Sequence, residues 1–334
     1  MKNYVLFDIS QGTQNLGDFI IMDSIMKEMN FLFEGNFLTH FSTHTPIARF
    51  YHNFRRNMQS RACDSADKKF ICGANTFKNS LLRICPDWNI NHFNCKYYKN
   101  SIAIGVGMDM NSKKMDSYTK MIYKNILSKE FVHSVRDERT KKMLEDLGFK
   151  AINTGCPTLW SLDDDFCKKI PTEKAENVIF TLTFYDKDQV NDQKLIDILK
   201  NNYNKLFFWV QGSEDYEYFK TFQNIEDIEI ISPNLESYKR ILQKDNIEYV
   251  GTRLHAGIFA MKNMRRAIIL NIDNRARDMS ETYNLNTIDR DKIYMLEEKI
   301  NSKFETKVNI DKSRIREWKN QFKDHENENN KKSK

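Results

Sequence analysis

The sequence predicts an α/β protein with two doubly wound domains that face each other across a cleft. Its 334 residues exceed the roughly 150 expected of one domain. Short apolar runs alternate with stretches of helical periodicity from end to end, which is typical of a parallel sheet wrapped by crossover helices. The alternation pauses once, at residues 161–176, so the pattern divides into two series.

Apolar runs predict the strands of an N-terminal domain over residues 1–160. Strands are expected at 4–9, 37–42, 69–72, 101–106 and 131–135, and helices near 18–29, 46–58, 113–128 and 138–147. Segment 161–176 is charged, contains Pro171 and shows neither strand alternation nor a clean helical period, which favours a linker.

The second series predicts a C-terminal domain over residues 177–290. Its strands are expected at 178–183, 206–211, 228–232, 247–250 and 267–272, and its helices near 190–200, 214–223, 235–244, 254–263 and 274–283. The remainder, 291–334, predicts one or two amphipathic helices around 293–296 and 315–318 that end in a disordered basic tail.

Composition narrows the classes of function. The net charge of +6 comes partly from the lysines after residue 330, so it gives no reason to expect nucleic-acid binding. The N-terminal run reaches Asp8 before it is long enough for a signal peptide, and no segment approaches the ~20 apolar residues of a membrane span. We expect a cytoplasmic protein. Its six cysteines form no C-x-x-C pair, so reduced thiols and no bound metal are expected.

Basic and aromatic residues alternate at 49–56, on a helix that Pro46 would open. The favoured interpretation is a solvated helix face over a buried aromatic stripe. The alternative is a peripheral contact with the inner face of the membrane.

Ligands of open parallel sheets bind beyond the carboxyl ends of the strands, so candidate site residues lie where predicted strands give way to helices. The first such junction, 10–18, is a polar loop in which Gly12 and Gly17 let backbone amides approach a ligand. It lacks the lysine and the glycine spacing of nucleotide-binding loops. Asp18 is either a functional carboxylate or the N-cap of the next helix.

Two further junctions carry reactive side chains. Arg136 follows a predicted strand and can hold a carboxylate or phosphate through two parallel hydrogen bonds, with surface pairing to Asp137 or Glu138 as the alternative. Cys156 lies near the mouth of the expected cleft. No base can be assigned to it, which favours an inert thiol over a nucleophile.

The most informative junction is 249–261, where an apolar strand ends at Gly251. We expect Thr252 to cap the following helix and Arg253 and His255 to lie in its first turn, where free amides and the helix dipole favour an anion. A cation at a helix N-terminus is costly unless an anion joins it. A ligand site is therefore favoured over a core histidine bonded to a carbonyl.

Four motifs occur in a fixed order along the chain: N-L-G-D at 15–18, S-V-R-D-E-R at 134–139, G-C-P-T-L at 155–159 and T-R-L-H-A-G-I-F-A at 252–260. Together they resemble the polysaccharide pyruvyl transferase family over residues 10 to 285. The resemblance implies a GT-B-like pair of Rossmann-type domains, with the acceptor on the N-terminal side and the donor on the C-terminal side. Phosphoenolpyruvate would be the donor, without a cofactor. The acceptor would be a sugar of a capsule or other exopolysaccharide, free or lipid-linked, and the product a cyclic pyruvate ketal.

The resemblance also assigns roles to residues. The implied substrate-binding residues are Asn15, Gly17, Arg136, Thr252, Arg253 and Leu254. His255 is expected to be the general acid, since an imidazole titrates near neutrality, and Asp18 to contact or deprotonate the acceptor hydroxyl. Two departures stand out: Cys156 replaces a frequent aspartate of the family, and the segment 72–75, Cys-Gly-Ala-Asn, replaces a glycine cluster.

Two other interpretations stay open. One is a glycosyltransferase that uses a nucleotide sugar, in which Glu236 or Asp273 would contact the donor ribose. The other is a catalytically inactive family member that acts as a binding protein. The sequence indicates neither the acceptor sugar nor the oligomeric state.

Overall fold

The computed structural model describes residues 1–48, 51, 57–82, 88–108 and 114–332. The chain divides into two compact units. The first unit comprises Met1–Thr13, Ile21–Trp160 and the segment from Asp311 onward, and the second comprises Gln14–Ile20 and Ser161–Ile310.

The described strands of the first unit all run parallel. They are β1 (Asn3–Asp8), β2 (Phe37–Ser42), β3 (Lys68–Cys72), β4 (Ser101–Ile104), β5 (His133–Val135) and β6 (Ala151–Asn153). The first four form a sheet in the order β2-β1-β3-β4, and β5 pairs with β6. A bridge between Val106 and Val135 connects the segment after β4 to β5. The chain changes direction across the sheet between β1 and β3, and such a switch point is where doubly wound sheets bind ligands.

Helices separate these strands in sequence. They are α1 (Leu16–Glu28), α2 (Asn30–Phe33), α3 (Met58–Asp64), α4 (Ser117–Ile126) and α5 (Glu138–Asp146). The residues of α1 up to Ile20 belong to the second unit. Part of the core of the first unit is aromatic, with Trp88 stacked on Tyr123 at a centroid distance of 6.1 Å.

The second unit contains a single described sheet, in which all strands are parallel and mostly buried. They are β7 (Asn177–Thr181), β8 (Lys205–Trp209), β9 (Glu229–Ile231), β10 (Ile247–Gly251), β11 (Ala267–Asn271) and β12 (Thr287–Asp289). Their order is β12-β11-β10-β7-β8-β9. This is the doubly wound order of Rossmann folds, with the switch point between β7 and β10.

Helices of the second unit lie before, between and after these strands. They are α6 (Asp164–Cys167), α7 (Gln189–Asn202), α8 (Asp215–Phe219), α9 (Leu235–Leu242), α10 (Leu254–Lys262), α11 (Asn274–Tyr283) and α12 (Leu296–Asn301). The core includes Phe208 stacked on Phe219 at 4.1 Å. Since both units are parallel sheets with crossover helices, the predicted α/β, Rossmann-like fold class is confirmed.

The structure differs from the predicted domain bounds at three places, the first of which is the segment Gln14–Ile20 in the second unit. Segment 161–176 is part of the second unit, because Leu162, Cys167 and Ile170 are buried and α6 is capped by Asp163. The last helix, α13 (Lys312–Lys332), belongs to the first unit, since Trp318 is buried and its indole N–H donates to the carbonyl of Val132 at 2.7 Å.

The helix α13 also runs through residues where composition predicts a disordered tail. The segment holds neither glycine nor proline, so no residue in it stops a helix. Strands β6 and β12 were not predicted, because three residues are too few to show an alternation. The helix expected near 46–58 and its basic and aromatic segment lie largely outside the described residues.

Candidate active site at the switch point of the second unit

The junction of β10 and α10 lies at the switch point of the second sheet. Strand β10 ends at Gly251, directly beside β7. A Cβ at Gly251 would lie 2.7 Å from the amide nitrogen and from the hydroxyl of Thr181, so the two strands approach too closely for any side chain there. This approach places the two residues after Gly251 at the carboxyl edge, where the ligands of such sheets bind.

The prediction that Thr252 caps α10 is wrong. Arg253 occupies the N-cap position and makes no side-chain hydrogen bond to the helix. The hydroxyl of Thr252 instead pairs with that of Thr183 at 2.8 Å and lies 3.3 Å from the carbonyl of Thr181, because Thr252 is still packed against β7. The start of α10 therefore receives no cap from its own N-cap side chain.

The guanidinium of Arg253 is buried and bound on one edge by Asp215. Its Nε lies 3.2 Å from Oδ2 and its Nη2 2.5 Å from Oδ1 of the fully buried Asp215. Nε also donates to the carbonyl of Leu182 at 3.3 Å, and the ring of Tyr185 lies 5.0 Å from Cζ. Nη1 has no hydrogen-bond partner among the residues that the structure describes. Arg253 therefore has a fixed orientation and one donor nitrogen left for a ligand.

Asp215 is a residue that sequence reasoning missed. It is the first residue of α8, and its carboxylate also accepts hydrogen bonds from the backbone N–H groups of Gly212, at 2.8 Å, and Phe184, at 3.1 Å. A Cβ at Gly212 would lie 2.8 Å from Nη2 of Arg253, so this position needs glycine. The only feature of the sequence that could have pointed to Asp215 is its position after β8, at the same sheet edge as Arg253.

The two other residues of this motif follow Arg253 on α10. Leu254 is its first residue and is buried, and His255 is its second residue and is partly exposed. The predicted placement of His255 in the first turn is confirmed, whereas Arg253 directly precedes that turn.

The N-L-G-D segment also belongs to the second unit. Asn15 precedes α1, and its side-chain oxygen accepts hydrogen bonds from the N–H of Gly17, at 3.1 Å, and from Nε2 of Gln211, at 3.2 Å. The N–H of Leu16 donates to the carbonyl of Gln211 at 2.9 Å. Asn15 thus caps the helix, and the alternative that Asp18 is its N-cap is wrong. Asp18 lies in the first turn, partly exposed.

Gln211 is a second residue missed from the sequence. It is 3% exposed and lies just beyond the carboxyl end of β8. A Cβ at Gly17 would lie 3.2 Å from its Nε2, so glycine lets the helix start approach β8 closely. Through Gln211, the segment that carries Asp18 is attached to the same sheet edge as Arg253.

Arg136 belongs to the first unit and is the only predicted site residue that does. It follows β5 and is 8% exposed. Its Nη2 donates to the side-chain oxygen of Asn75, and its Nε lies 3.7 Å from Oδ2 of Asp137. A Cβ at Gly107 would lie 2.2 Å from Nε. Asn75, from the segment that replaces the glycine cluster of the family, therefore helps to hold Arg136.

Cys156 is 2% exposed and accepts a hydrogen bond from the hydroxyl of Thr158 at 3.1 Å. This burial fits the inert thiol. The described cysteines are in no disulfide, and burial raises the pKa of the Cys63 thiol to about 12.

Among the described residues, no group of histidine, cysteine or acidic side chains has the arrangement of a metal site, and no helix has the length and hydropathy to cross a bilayer.

The two acidic residues of the glycosyltransferase interpretation have local partners. Asp273 caps α11 by accepting from the N–H of Ala276 at 2.7 Å. Glu236 is exposed and lies 3.4 Å from Nη2 of Arg240. Neither arrangement favours a ribose contact.

Two doubly wound parallel units with polar residues at their carboxyl edges define a Rossmann-like α/β protein, of the kind from which GT-B transferases are built. A family model, described as polysaccharide pyruvyl transferase, matches residues 15–274. The chain belongs to this family, and it is accordingly a transferase of polysaccharide biosynthesis. The matched range contains every predicted site residue.

Solved structures show distant likeness. S. aureus MnaA with UDP has 9% identity, with 90% of each chain covered and a TM-score of 0.49. The Methanocaldococcus jannaschii UDP-GlcNAc 2-epimerase with UDP-GlcNAc and UDP has 13% identity, with 94% of this chain and 97% of that chain covered and a TM-score of 0.47. E. coli heptosyltransferase WaaC with ADP-2-deoxy-2-fluoro heptose has 11% identity, with 90% of this chain and 99% of that chain covered and a TM-score of 0.41. These likenesses are too distant to indicate a substrate. No curated protein matches the chain significantly.

Proposed function

We propose that this transferase moves the enolpyruvyl group of phosphoenolpyruvate onto a sugar of a cell-surface polysaccharide or its precursor, with release of phosphate and formation of a pyruvate ketal. The observation that supports this most is the junction of β10 and α10. There, Arg253 is the N-cap of a helix that its own side chain does not cap, its Nη1 has no hydrogen-bond partner among the described residues, and His255 follows two residues later.

Phosphoenolpyruvate carries a carboxylate and a phosphate on the same carbon. The start of α10 can bind one of these anions through backbone amides and the helix dipole, and Nη1 of Arg253 can donate to the other. Asp215 fixes the guanidinium plane before the donor arrives, which lowers the entropic cost of binding. Thr252 and Leu254, both buried, hold the two ends of this turn. Arg136, in the first unit, remains a proposed substrate-binding residue because a guanidinium can hold a carboxylate or a phosphate.

The chemistry needs an acid and a base. His255 is proposed to protonate the enol methylene carbon, since it is partly exposed beside Arg253 and an adjacent anion favours the imidazolium. Asp18 is proposed to accept a proton from an acceptor hydroxyl, with Asn15 and Gly17 setting the first turn that carries it. The hydroxyl oxygen adds to the carbon that bears the phosphate, phosphate leaves, and a second hydroxyl of the same sugar closes the ketal.

The proposal assigns no cofactor, because the donor itself supplies the activated carbon. The proposed acceptor is a sugar or a lipid-linked oligosaccharide. The proposed location is the cytoplasm, with contact at the inner face of the membrane as the alternative.

The test is release of phosphate from phosphoenolpyruvate with a panel of p-nitrophenyl glycosides as acceptors, with the ketal identified by mass spectrometry. Acceptor-dependent release together with a ketal product supports the proposal. A protein that hydrolyses or transfers a nucleotide sugar while leaving phosphoenolpyruvate unchanged contradicts it.

A further inference from the structure

A cavity of about 290 Å³ lies in the second unit, at the carboxyl ends of β11 and β12. Asn271 is the last residue of β11 and Asp289 the last of β12, and the register of the two strands places them side by side. Helix α11, between these strands in the chain, adds Arg277 and Ser280 to the lining. The volume is close to the roughly 300 Å³ at which small-molecule sites begin.

Asp289 organises the polar lining of this cavity. Its Oδ1 accepts hydrogen bonds from Nε of Arg277 at 3.0 Å and Nδ2 of Asn271 at 3.3 Å, and its Oδ2 accepts one from Nζ of Lys292 at 3.2 Å. Burial acts to raise the pKa of Asp289, but these hydrogen bonds outweigh it and lower that pKa below its ordinary value. Asp289 is therefore an ionised acceptor that holds two cationic side chains and one amide in place.

The amide of Asn271 is only partly bonded. Asn271 is 4% exposed, and its Nδ2 donates to the hydroxyl of Thr287 at 3.1 Å as well as to Asp289. Its Oδ1 has no hydrogen-bond partner among the described residues. Turning the amide over would bring this oxygen against the carboxylate of Asp289, so the orientation is fixed. A buried oxygen without a donor is costly, and a hydroxyl group is a donor of the kind that this oxygen lacks.

The charges along the cavity cancel. Among the lining residues that the structure describes, Arg277 and Lys292 are cationic, and Glu281 and Asp289 are anionic. A site for a phosphate or a carboxylate needs an excess of cations, and a site for a metal cation needs an excess of carboxylates. The balanced set instead favours a neutral molecule that both donates and accepts hydrogen bonds. Each hydroxyl of a sugar does both, since it carries one donor and two acceptor lone pairs.

The cavity also has an apolar part to its lining. Ile288 is buried, whereas Met295 is 44% exposed and follows β12 in the chain. A methionine side chain is flexible and polarisable, so it adapts to the shape of a bound molecule. The faces of a pyranose ring are made of C–H groups, and its rim carries hydroxyls. A sugar ring therefore matches a small cavity whose lining combines a few polar groups with apolar side chains.

We propose that this cavity binds a neutral sugar unit, with its hydroxyls bonded to Asp289, Asn271 and Lys292 and a face of its ring against Met295. The sugar is either a single molecule or one unit of a longer glycan. The inference goes beyond the proposed function, because it assigns a binding site and no step of pyruvyl transfer. The cavity is separate from the junction of β10 and α10, since its residues lie at and after the ends of β11 and β12.

Binding is measured on the full chain by saturation-transfer NMR. The probes are methyl glycosides of glucose, galactose, mannose and N-acetylglucosamine, together with lactose and cellobiose, each at millimolar concentration. We expect at least one of them to bind. Tighter binding of a disaccharide supports a unit of a longer glycan, and equal binding supports a single sugar. Inorganic phosphate and UDP are measured in the same way, and binding of either at this cavity in place of the sugars would overturn the inference.

Variants of the lining locate the bound sugar. Asp289→Asn is expected to raise Kd by about 10-fold or more, because the sugar loses hydrogen bonds to a charged group. Lys292→Ala and Met295→Ser change exposed side chains and are expected to raise Kd by a smaller factor, with an unchanged melting temperature. The matched control is Lys168→Ala, whose exposed ion pair with Asp165 at 3.3 Å has the same spacing along the chain as that of Lys292. It should bind like wild type.

Unchanged binding in folded Lys292→Ala and Met295→Ser, or no binding of any of the six sugars by wild type, would overturn the inference. Arg253→Lys should bind these sugars like wild type, and loss of binding in that variant would remove the cavity as the site. A wild type that binds a sugar here but releases no phosphate from phosphoenolpyruvate with any glycoside would contradict the proposed function and leave this inference standing.

Discussion

The guanidinium of Arg253 and the carboxylate of Asp215 form a buried bidentate ion pair, with Nη2 2.5 Å from Oδ1 and Nε 3.2 Å from Oδ2. The side chains are 6% and 0% exposed. A charge so deeply buried is tolerated only with its partner. The pair therefore serves stability, and it also orients Nη1, the one guanidinium nitrogen that has no hydrogen-bond partner among the described residues.

Asp215→Asn is expected to lower the free energy of unfolding by roughly 3–5 kcal/mol, because it leaves the Arg253 charge buried without a counter-charge. The KM for phosphoenolpyruvate is expected to rise as well, since the guanidinium loses its fixed plane. Urea unfolding and initial rates measure the two effects. Glu217→Gln, on the same helix and 68% exposed at its side chain, is the control and should change neither. An equally stable Asp215→Asn would contradict the importance of the pair.

Phosphoenolpyruvate is expected to raise the melting temperature, by the equivalent of about 2.7 kcal/mol at a ligand concentration 100 times Kd. Arg253→Ala should remove this shift. Arg253→Ala leaves the charge of Asp215 buried without a partner, so Arg253→Lys is measured as well. Lysine keeps the positive charge but lacks the two parallel donors of the guanidinium. Arg240→Ala, at an exposed ion pair with Glu236, should retain the shift. A shift with UDP in place of phosphoenolpyruvate would favour the nucleotide-sugar interpretation.

His255→Ala is expected to reduce phosphate release by about 10²- to 10⁴-fold with a nearly unchanged melting temperature, because the residue is partly exposed and its proposed role is proton transfer. His92→Ala is the matched control. Turnover of the His255 variant at the wild-type rate would remove this residue from the acid role.

Cys156→Ser is expected to retain turnover, since the thiol is 2% exposed and accepts a hydrogen bond from the hydroxyl of Thr158. Rates of phosphate release with the best glycoside measure this. Loss of turnover in a protein that melts like wild type would restore the nucleophile interpretation.

We expect the free energy of unfolding to depend on pH through His133. The ring is fully buried. Its Nδ1 accepts from the N–H of Ala103 at 3.1 Å, and its Nε2 donates to the carbonyl of Ser128 at 2.9 Å. Burial lowers its pKa from 6.5 to about 4. Since the folded pKa lies below the unfolded one, the stability contribution is present above pH 6.5 and is lost as pH falls toward about 4.

The size of this effect is about 3 kcal/mol, from 1.36 kcal/mol for each unit of pKa. Urea unfolding at a series of pH values should therefore show a steeper loss of stability for wild type than for His133→Gln over this range. Parallel curves would show that the pKa of His133 is the same in the folded and unfolded protein, which contradicts this prediction.

Prediction from the motifs was more accurate for the positions of the site residues than for the contacts around them. Arg253 and His255 were placed at a strand end and a helix start because apolar runs and helical periodicity are local patterns, and the structure has them there. The cap of α10 was assigned to the wrong residue. Whether Thr252 or Arg253 precedes the helix depends on the hydroxyl contact with Thr183 of a separate strand end, 69 positions away.

The sequence by itself determined the α/β class, the two series of strands, the family and the residues of its four motifs, because each of these is written within a few consecutive positions. Only the tertiary structure decided that Asp215 holds Arg253 from 38 positions away, that Gln211 holds Asn15 from 196 positions away, and that Asn271 donates to Asp289 of the neighbouring strand. Such contacts follow from the order and register of parallel strands. Periodicity and motif spacing do not encode these contacts, because the identity of a polar residue does not indicate which distant residue it will contact.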